Sequence, residues 1–317
     1  MGLKKEYEHF CEQIKEEIIG EFPEHIVEIR DVVKNNGKHV RTLMIRREDQ
    51  KVSPNFYLDE IYAKFRQGMS VKEIVEQIVS GYEQSILEGE KLNVDFAFKN
   101  CREKIVLRLI SGERNREILE EVPHIPFLDL AIVFYVVIRE EKDGIGSIRV
   151  SNLLQEQWDI STQALFVLAL DNTQRIFPAR EAMMLNMMEE QMMEAMESNE
   201  DIREYFERRD GERDELDFPY VITNACGING ATVILYPDVL EQLGQKFAAD
   251  YFLLPSSIHE FIAISSETNI VAEHLRFVVG KVNSLCVSDE EQLSENVYYY
   301  SIETGKISIW DDGRSSV

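Results

Sequence analysis

The chain has 317 residues, with 34 basic and 58 acidic side chains and a formal net charge of −24. Hydrophobic residues make up 44% of it, and their burial can offset the conformational entropy of folding, which excludes a globally disordered chain. The negative charge repels phosphate backbones and anionic lipid headgroups, so we expect no direct binding of nucleic acid or membrane.

The sequence shows no segment that would place the protein in or across a membrane. The longest apolar run, residues 130–138, is too short to span a bilayer and is flanked by Asp129 and Arg139. The first twenty residues are charged throughout and lack the apolar centre of a secretion signal. We therefore expect a cytoplasmic protein. The four cysteines form no CxxC pair, so we expect reduced thiols, no metal and no cofactor.

The predicted elements begin with an amphipathic helix at residues 4–21, where apolar residues recur every three or four positions. Two strands follow, and Asn35-Asn36-Gly37 between them predicts a hairpin turn because Asn and Gly tolerate a positive φ. Further along, Ser70-Val-Lys-Glu73 is a capping box, in which each end of the motif bonds the backbone of the other. It predicts the start of another helix.

The middle of the chain predicts a buried sheet. Residues 104–110 are rich in long aliphatic side chains and indicate a strand. Residues 128–139 are almost entirely apolar, which is typical of a central strand buried on both faces. This strand is predicted to pair with residues 147–150, and helices are predicted at 152–158 and 162–172.

A methionine-rich segment comes next. Met184, Met188 and Met192 fall on one face of a predicted helix that ends at residue 196. Such a face suits adaptable protein contacts, and methionine also fills ordinary cores, so both interpretations stay open. Residues 197–217 then carry ten acids and four bases and predict a linker. We therefore predict an N-terminal domain at 1–196 and a C-terminal domain at 218–317.

The last hundred residues alternate short strands with helices. Strands are predicted at 220–224 and 232–236 around a Gly227–Gly230 turn, and a further pair at 251–254 and 260–264. An amphipathic helix is predicted at 269–284, and a closing hairpin turns at Thr304-Gly305. Antiparallel hairpins interspersed with helices predict an α+β fold, here with two subdomains.

Four strings of residues carry a family resemblance: 122–135 (VPHIPFLDLAIVFY), Asn229-Gly230 with 234–237 (ILYP), 252–260 (FLLPSSIHE) and 296–305 (NVYYYSIETG). Together they resemble DUF5688, a domain-of-unknown-function family of bacterial proteins from anaerobic, gut-type Firmicutes. The string Leu-Pro-Ser-Ser-Ile-His-Glu is the most specific of them. The resemblance implies a bacterial cytoplasmic setting, and it assigns no activity, cofactor or catalytic residue because none is established for the family.

Two groups of residues are candidates for a binding site. Ser256, Ser257, His259 and Glu260 bring hydroxyls, an imidazole and a carboxylate together at the end of a strand. They could form a site, or a turn in which Pro255 fixes φ and the hydroxyls bond nearby backbone. His124 and Asp129 flank the start of the buried strand, and they could bind a ligand or bond local backbone instead.

Two functions remain open at this stage. The sequence contains no nucleotide loop, metal motif or nucleophile elbow, which favours a non-enzymatic protein that binds another protein. One version is an acidic inhibitor-type binder that occupies a basic groove of its partner. The alternative is a hydrolase-type enzyme that uses the Ser256–Glu260 loop. The sequence identifies neither the partner nor the oligomeric state.

Overall fold

The fold is that of a computed structural model, which describes residues 2–48, 54–92, 95–141, 144–184, 219–268 and 272–311. It divides into two compact units, Met1–Phe96 and Ala97–Val317. Helices alternate with antiparallel sheets in both, as predicted for the α+β class. The acidic segment 197–217 lies outside the described residues, so the linker and the domain boundaries drawn from it stay predictions. No helix in the described ranges is long and apolar enough to cross a membrane.

The N-terminal unit packs helices on a three-stranded antiparallel sheet. Its elements are α1 (Gly2–Glu21), β1 (Ile26–Lys34), β2 (Lys38–Arg46), β3 (Asn55–Tyr57), α2 (Leu58–Arg66) and α3 (Val71–Leu92). Asn36 and Gly37 have φ of 60° and 69°, which confirms the predicted hairpin turn. Ile14, Leu43 and Ile78 lie in its core.

The C-terminal unit begins with a small antiparallel sheet and its helices. The elements are α4 (Phe98–Cys101), β4 (Ile105–Ser111), α5 (Arg116–Glu121), β5 (His124–Phe127), β6 (Leu130–Glu141), β7 (Gly144–Arg149), α6 (Asn152–Trp158), α7 (Thr162–Ile176) and β8 (Ala179–Met183). Strand β6 is central, with β4 on one side and β5 followed by β7 on the other. Val133 and Phe134 on opposite faces of β6 are fully buried, which confirms the predicted central strand.

A six-stranded antiparallel sheet forms the rest of this unit. The remaining elements are β9 (Tyr220–Asn224), α8 (Val239–Phe247), β10 (Tyr251–Ser257), β11 (Glu260–Ser265), α9 (Ala272–Cys286), β12 (Tyr298–Ser301) and β13 (Lys306–Ile309). The strand order is β13-β12-β10-β11-β9-β8. Helix α9 packs on the sheet by burying Leu275 and Val279 against Phe252 and Leu254.

The structure differs from the predicted elements in several places, and it adds the short strands β3 and β5, which were not predicted. Gly230–Leu235 is a 3₁₀ segment and not a strand, so the predicted partnership of 220–224 with 232–236 is wrong. Strand β9 instead pairs with β11 on one side and with β8 on the other. Strand β8 was not predicted, because its partner lies about forty residues further along the chain and no turn motif joins the two strands.

Candidate functional site

The predicted serine, histidine and glutamate cluster forms the tip of the β10–β11 hairpin. Ser256 and Ser257 end β10, His259 lies in the turn, and Glu260 begins β11. The register of the two strands shifts between Pro255 and Ser257. This irregularity places the polar side chains at the end of the hairpin, as the sequence predicted.

The imidazole of His259 connects the hairpin tip to two other segments. The backbone N–H of Asn229 donates to His259 Nδ1 over 3.0 Å. His259 Nε2 lies 3.5 Å from Glu291 Oε1. Because Nδ1 accepts a hydrogen bond, a neutral ring carries its proton on Nε2, facing the Glu291 carboxylate. The histidine therefore holds together the hairpin tip, the loop at Asn229 and the loop at Glu291.

The two serine hydroxyls bond within the same hairpin tip. Ser256 Oγ donates to Glu260 Oε1 over 3.2 Å, and Ser257 Oγ accepts the backbone N–H of His259 over 3.0 Å. A serine nucleophile needs a base within hydrogen-bond distance. The two ring nitrogens of His259 face Asn229 and Glu291 instead, so the described contacts use these groups to stabilise a turn.

Asp129 lies elsewhere, in the turn between β5 and β6, and its carboxylate accepts three hydrogen bonds. The donors are Tyr298 OH at 2.7 Å, Ser294 Oγ at 2.6 Å and Asn296 Nδ2 at 3.0 Å. Burial, followed by the negative charge of Asp129, raises the pKa of Tyr298 well above its ordinary value. The backbone oxygen of Asp129 also accepts the N–H of Gly112 over 3.0 Å. This aspartate anchors the segment that follows α9. The sequence alone did not predict these contacts.

The structure does not bring His124 and Asp129 together. His124 begins β5 and pairs with Val133, at the far end of the hairpin from Asp129. Its Nδ1 lies 3.1 Å from the carbonyl oxygen of Val122. Within the described part of the chain, no group of three or more His, Cys, Asp or Glu side chains could hold a metal ion.

Of the predicted interaction residues, only Met184 belongs to the described part of the chain. It follows β8, is half-buried, and donates its backbone N–H to Pro219 O over 2.9 Å. Met188 and Met192 lie outside the described residues. The predicted methionine face therefore stays a prediction.

Helix α9 also exposes apolar residues beside its core side, and the sequence pattern alone does not distinguish them from the buried ones. Its core side is Leu275 and Val279, each 3% exposed. The outward apolar stripe, which we define as Phe277, Val278, Val282 and Leu285, is between 37% and 78% exposed. Val278, Val282 and Leu285 follow the spacing of one helix face. The signal in the sequence was an excess of apolar residues over what one face can hold.

The charge of α9 also contrasts with that of the chain. Its sequence contains Arg276, Lys281 and one acid, Glu273, whereas the whole chain carries −24. Lys281 Nζ lies 5.6 Å from the centroid of the Phe277 ring. Arg276 Nη2 donates to Asn296 Oδ1 over 3.2 Å. The outward apolar stripe is therefore bordered by positive charge on an acidic protein.

Comparison with known proteins identifies a family and no activity. The model of a family of unknown function, DUF5688, matches residues 7–302. No curated protein and no solved structure matches the chain. The match spans nearly the whole sequence, including three of the four strings that carried the resemblance and residues 296–302 of the fourth. The chain therefore belongs to the DUF5688 family.

Proposed function

We propose that this chain is a non-enzymatic cytoplasmic protein with an interaction or regulatory role, and that it binds a protein partner through the outward stripe of α9. The observation that carries the proposal is the exposure of Phe277 and Leu285, at 66% and 78%, beside Val278 and Val282. Several exposed large apolar side chains on one helix mark interaction surfaces more often than single scattered ones do.

The energetics favour a partner that covers this stripe. Fully burying one large apolar side chain contributes about 1.5–3 kcal/mol. Leu275 and Val279 already fix α9 on its sheet, so the helix does not have to fold when it binds. A preformed apolar helix face suits a partner that presents a complementary apolar groove.

The charges around the stripe favour one kind of partner. Arg276 and Lys281 border the stripe, so the partner presents an apolar centre with carboxylates at its rim. A net charge of −24 on each copy opposes association of the chain with itself, so the partner is a different protein. The positive border also favours docking on α9 over the inhibitor-type version, in which acidic side chains would fill a basic groove.

The hydrolase alternative gains no support from the described contacts. It required a serine and a base positioned for catalysis in the Ser256–Glu260 loop. Ser256 and Ser257 bond within that loop, and the His259 ring faces Asn229 and Glu291. The proposed function is therefore protein interaction and not hydrolysis.

Affinity capture from native lysate with variants that introduce negative charge tests the proposal. The full chain is compared with a Val278→Glu/Leu285→Glu variant, and with a Leu153→Glu/Val167→Glu control. The control residues are 64% and 69% exposed on α6 and α7, so both variants add the same charge at exposed apolar sites.

We expect a protein that the wild type and the control retain and the α9 variant loses, with capture weakened by Lys281→Glu and by added salt. Two outcomes would contradict the proposal. One is retention of the same protein by the folded α9 variant. The other is wild-type self-association, measured by sedimentation, that the α9 variant abolishes.

A further inference from the structure

Two arginines contact the same tyrosine on one face of the small sheet. The guanidinium carbon of Arg108 lies 3.9 Å from the centroid of the Tyr135 ring. Arg149 donates through Nε to Tyr135 OH over 3.1 Å. Tyr135 pairs directly with Arg149, and Arg108 lies opposite Val133 two residues away, so all three side chains lie on the same face. Three adjacent strands thus position them.

Neither guanidinium is paired with a carboxylate in the part of the chain that the structure describes. Arg108 Nη2 donates to Ser147 Oγ over 2.6 Å, and Arg149 bonds the Tyr135 hydroxyl. Several other arginines have acidic partners: Arg30 with Glu28, Arg41 with Asp31, Arg114 with Glu295, and Arg116 with Glu113. The group at Tyr135 differs from these pairs because two guanidiniums without a carboxylate partner among the described residues contact one side chain.

The half-buried environment makes the positive charge of Arg108 energetically unfavourable when no anion lies beside it. Arg108, Tyr135, Ser147 and Arg149 are all half-buried. Removal from water lowers the pKa of Arg108; the contact with Tyr135 partly offsets this, and the positive charge of Arg149 makes a smaller contribution that lowers it. A positive charge withdrawn from water is normally compensated by a counter-charge. Here the described protein groups supply only a hydroxyl and an aromatic ring.

We propose that Arg108 and Arg149 form a binding site for an oxyanion, namely the carboxylate or phosphate group of a small ligand. A guanidinium has five N–H donors, and each arginine spends only some of them on Ser147 or Tyr135. The remaining donors suit the paired oxygens of either anion. Ser147 Oγ accepts from Arg108, which leaves its own hydroxyl proton free to donate to the anion.

Tyr135 holds the two cations in place for this role. Its ring covers Arg108 and its hydroxyl orients Arg149, so both donors are positioned before the anion arrives. This site lies on the β4–β6–β7 face and uses no residue of α9, so it stands independently of the proposed protein docking.

Titration calorimetry on the full chain tests the site. The probes are inorganic phosphate, sulfate and succinate, with chloride at equal ionic strength as the reference. Arg149→Gln removes one donor group. Arg116→Gln is the matched control, because it removes the same charge from an exposed side chain that pairs with Glu113. Thermal unfolding with each probe reports binding by a second route.

We expect one anion per chain, with the affinity reduced about tenfold or more in Arg149→Gln and unchanged in Arg116→Gln. Stronger binding of phosphate than succinate would identify a phosphate ligand, and the reverse a carboxylate. Arg108→Lys keeps the charge and loses the planar fork, so it should also weaken binding. The proposal is overturned if no probe binds more tightly than chloride, or if Arg149→Gln binds as tightly as the wild type.

Discussion

Tyr298 donates its hydroxyl proton to Asp129 Oδ1 over 2.7 Å, and the two residues are 169 positions apart in the chain. This bond joins the turn between β5 and β6 to the first residue of β12. Ser294 and Asn296 donate to the other oxygen of the same carboxylate. Asp129 therefore links the small sheet to the six-stranded sheet within the C-terminal unit.

Replacing this carboxylate should destabilise the protein. Asp129→Asn replaces an acceptor-only group with an amide that brings two unwanted N–H donors toward Ser294 and Asn296. Because hydrogen bonds to charged groups are stronger than neutral ones, we expect a loss of about 2–4 kcal/mol in unfolding free energy. Urea unfolding measures it. Asp171→Asn, at an exposed position on α7, is the control, and equal midpoints for the two variants would contradict this role.

Stability should fall at alkaline pH. Burial raises the pKa of Tyr236, whose hydroxyl donates to Phe177 O over 2.8 Å. Above the ordinary tyrosine pKa of about 10, the unfolded chain loses this proton while the folded chain retains it. Unfolding then releases a proton, so stability declines by about 1.4 kcal/mol per pH unit for each such tyrosine.

Urea unfolding between pH 9 and pH 11.5, an interval chosen to bracket the ordinary tyrosine pKa of about 10, tests this dependence. The Tyr236→Phe variant should start less stable at neutral pH, because it loses the bond to Phe177. It should then decline less steeply than the wild type over the alkaline range. Parallel curves for the two proteins would show that the Tyr236 hydroxyl does not contribute.

The start of the 3₁₀ segment depends on a glycine. A Cβ at Gly230 would overlap Thr223 Oγ1 and would lie 2.5 Å from His259 O. Gly230→Ala should therefore cost about 3 kcal/mol or more, because backbone at this contact cannot yield. Gly280→Ala on α9 meets nothing within 4 Å and should instead stabilise by about 0.5–1 kcal/mol. Thermal unfolding compares them, and a mild effect at Gly230 would show that the loop can shift.

The capping box of α3 offers a test in the N-terminal unit. Ser70 Oγ accepts the Glu73 N–H over 3.3 Å, and Glu73 Oε2 accepts the Ser70 N–H over 2.8 Å. Ser70→Ala should reduce stability by about 1 kcal/mol, whereas Ser70→Asp should retain most of it. Circular dichroism during urea unfolding reports the difference. If the Ser70→Ala and Ser70→Asp variants are equally stable, the cap does not contribute to the stability of the protein.

Local signals in the sequence predicted the elements whose causes are local. Asn36 and Gly37 adopt the positive φ that the hairpin requires, and Ser70 with Glu73 forms the predicted cap. In each case the sequence motif and its contacts lie within a few residues. The α+β class followed from many such signals taken together.

Contacts between distant segments could not be predicted in the same way. The sequence Thr232-Val-Ile resembles a strand because its residues are β-branched, yet β9 pairs with β11 and β8 and leaves this segment as a buried 3₁₀ turn. Asp129 was singled out, but its donors lie at least 165 positions away.

Tertiary packing also determines which apolar residues of α9 are buried. The apolar spacing predicted a helix, and the structure shows that the sheet covers Leu275 and Val279 while Phe277 and Leu285 remain exposed. Likewise, the pairing of β6 with β4 on one side and with β7 on the other brings Arg108 and Arg149 to the same tyrosine. Neither surface is marked by a sequence motif.

Photo-crosslinking from α9 tests the central claim, that this helix docks a protein partner, most directly. A benzophenone amino acid replaces Phe277 in the full chain, and in a second chain it replaces Leu153, which is similarly exposed on α6. Irradiation in native lysate should crosslink position 277 to one protein whose binding surface has carboxylates at its rim. The additional substitution Lys281→Glu should reduce the yield of this crosslink. Crosslinking of that protein at position 153 and not at 277, or a crosslink at 277 only between copies of this chain, would contradict the account.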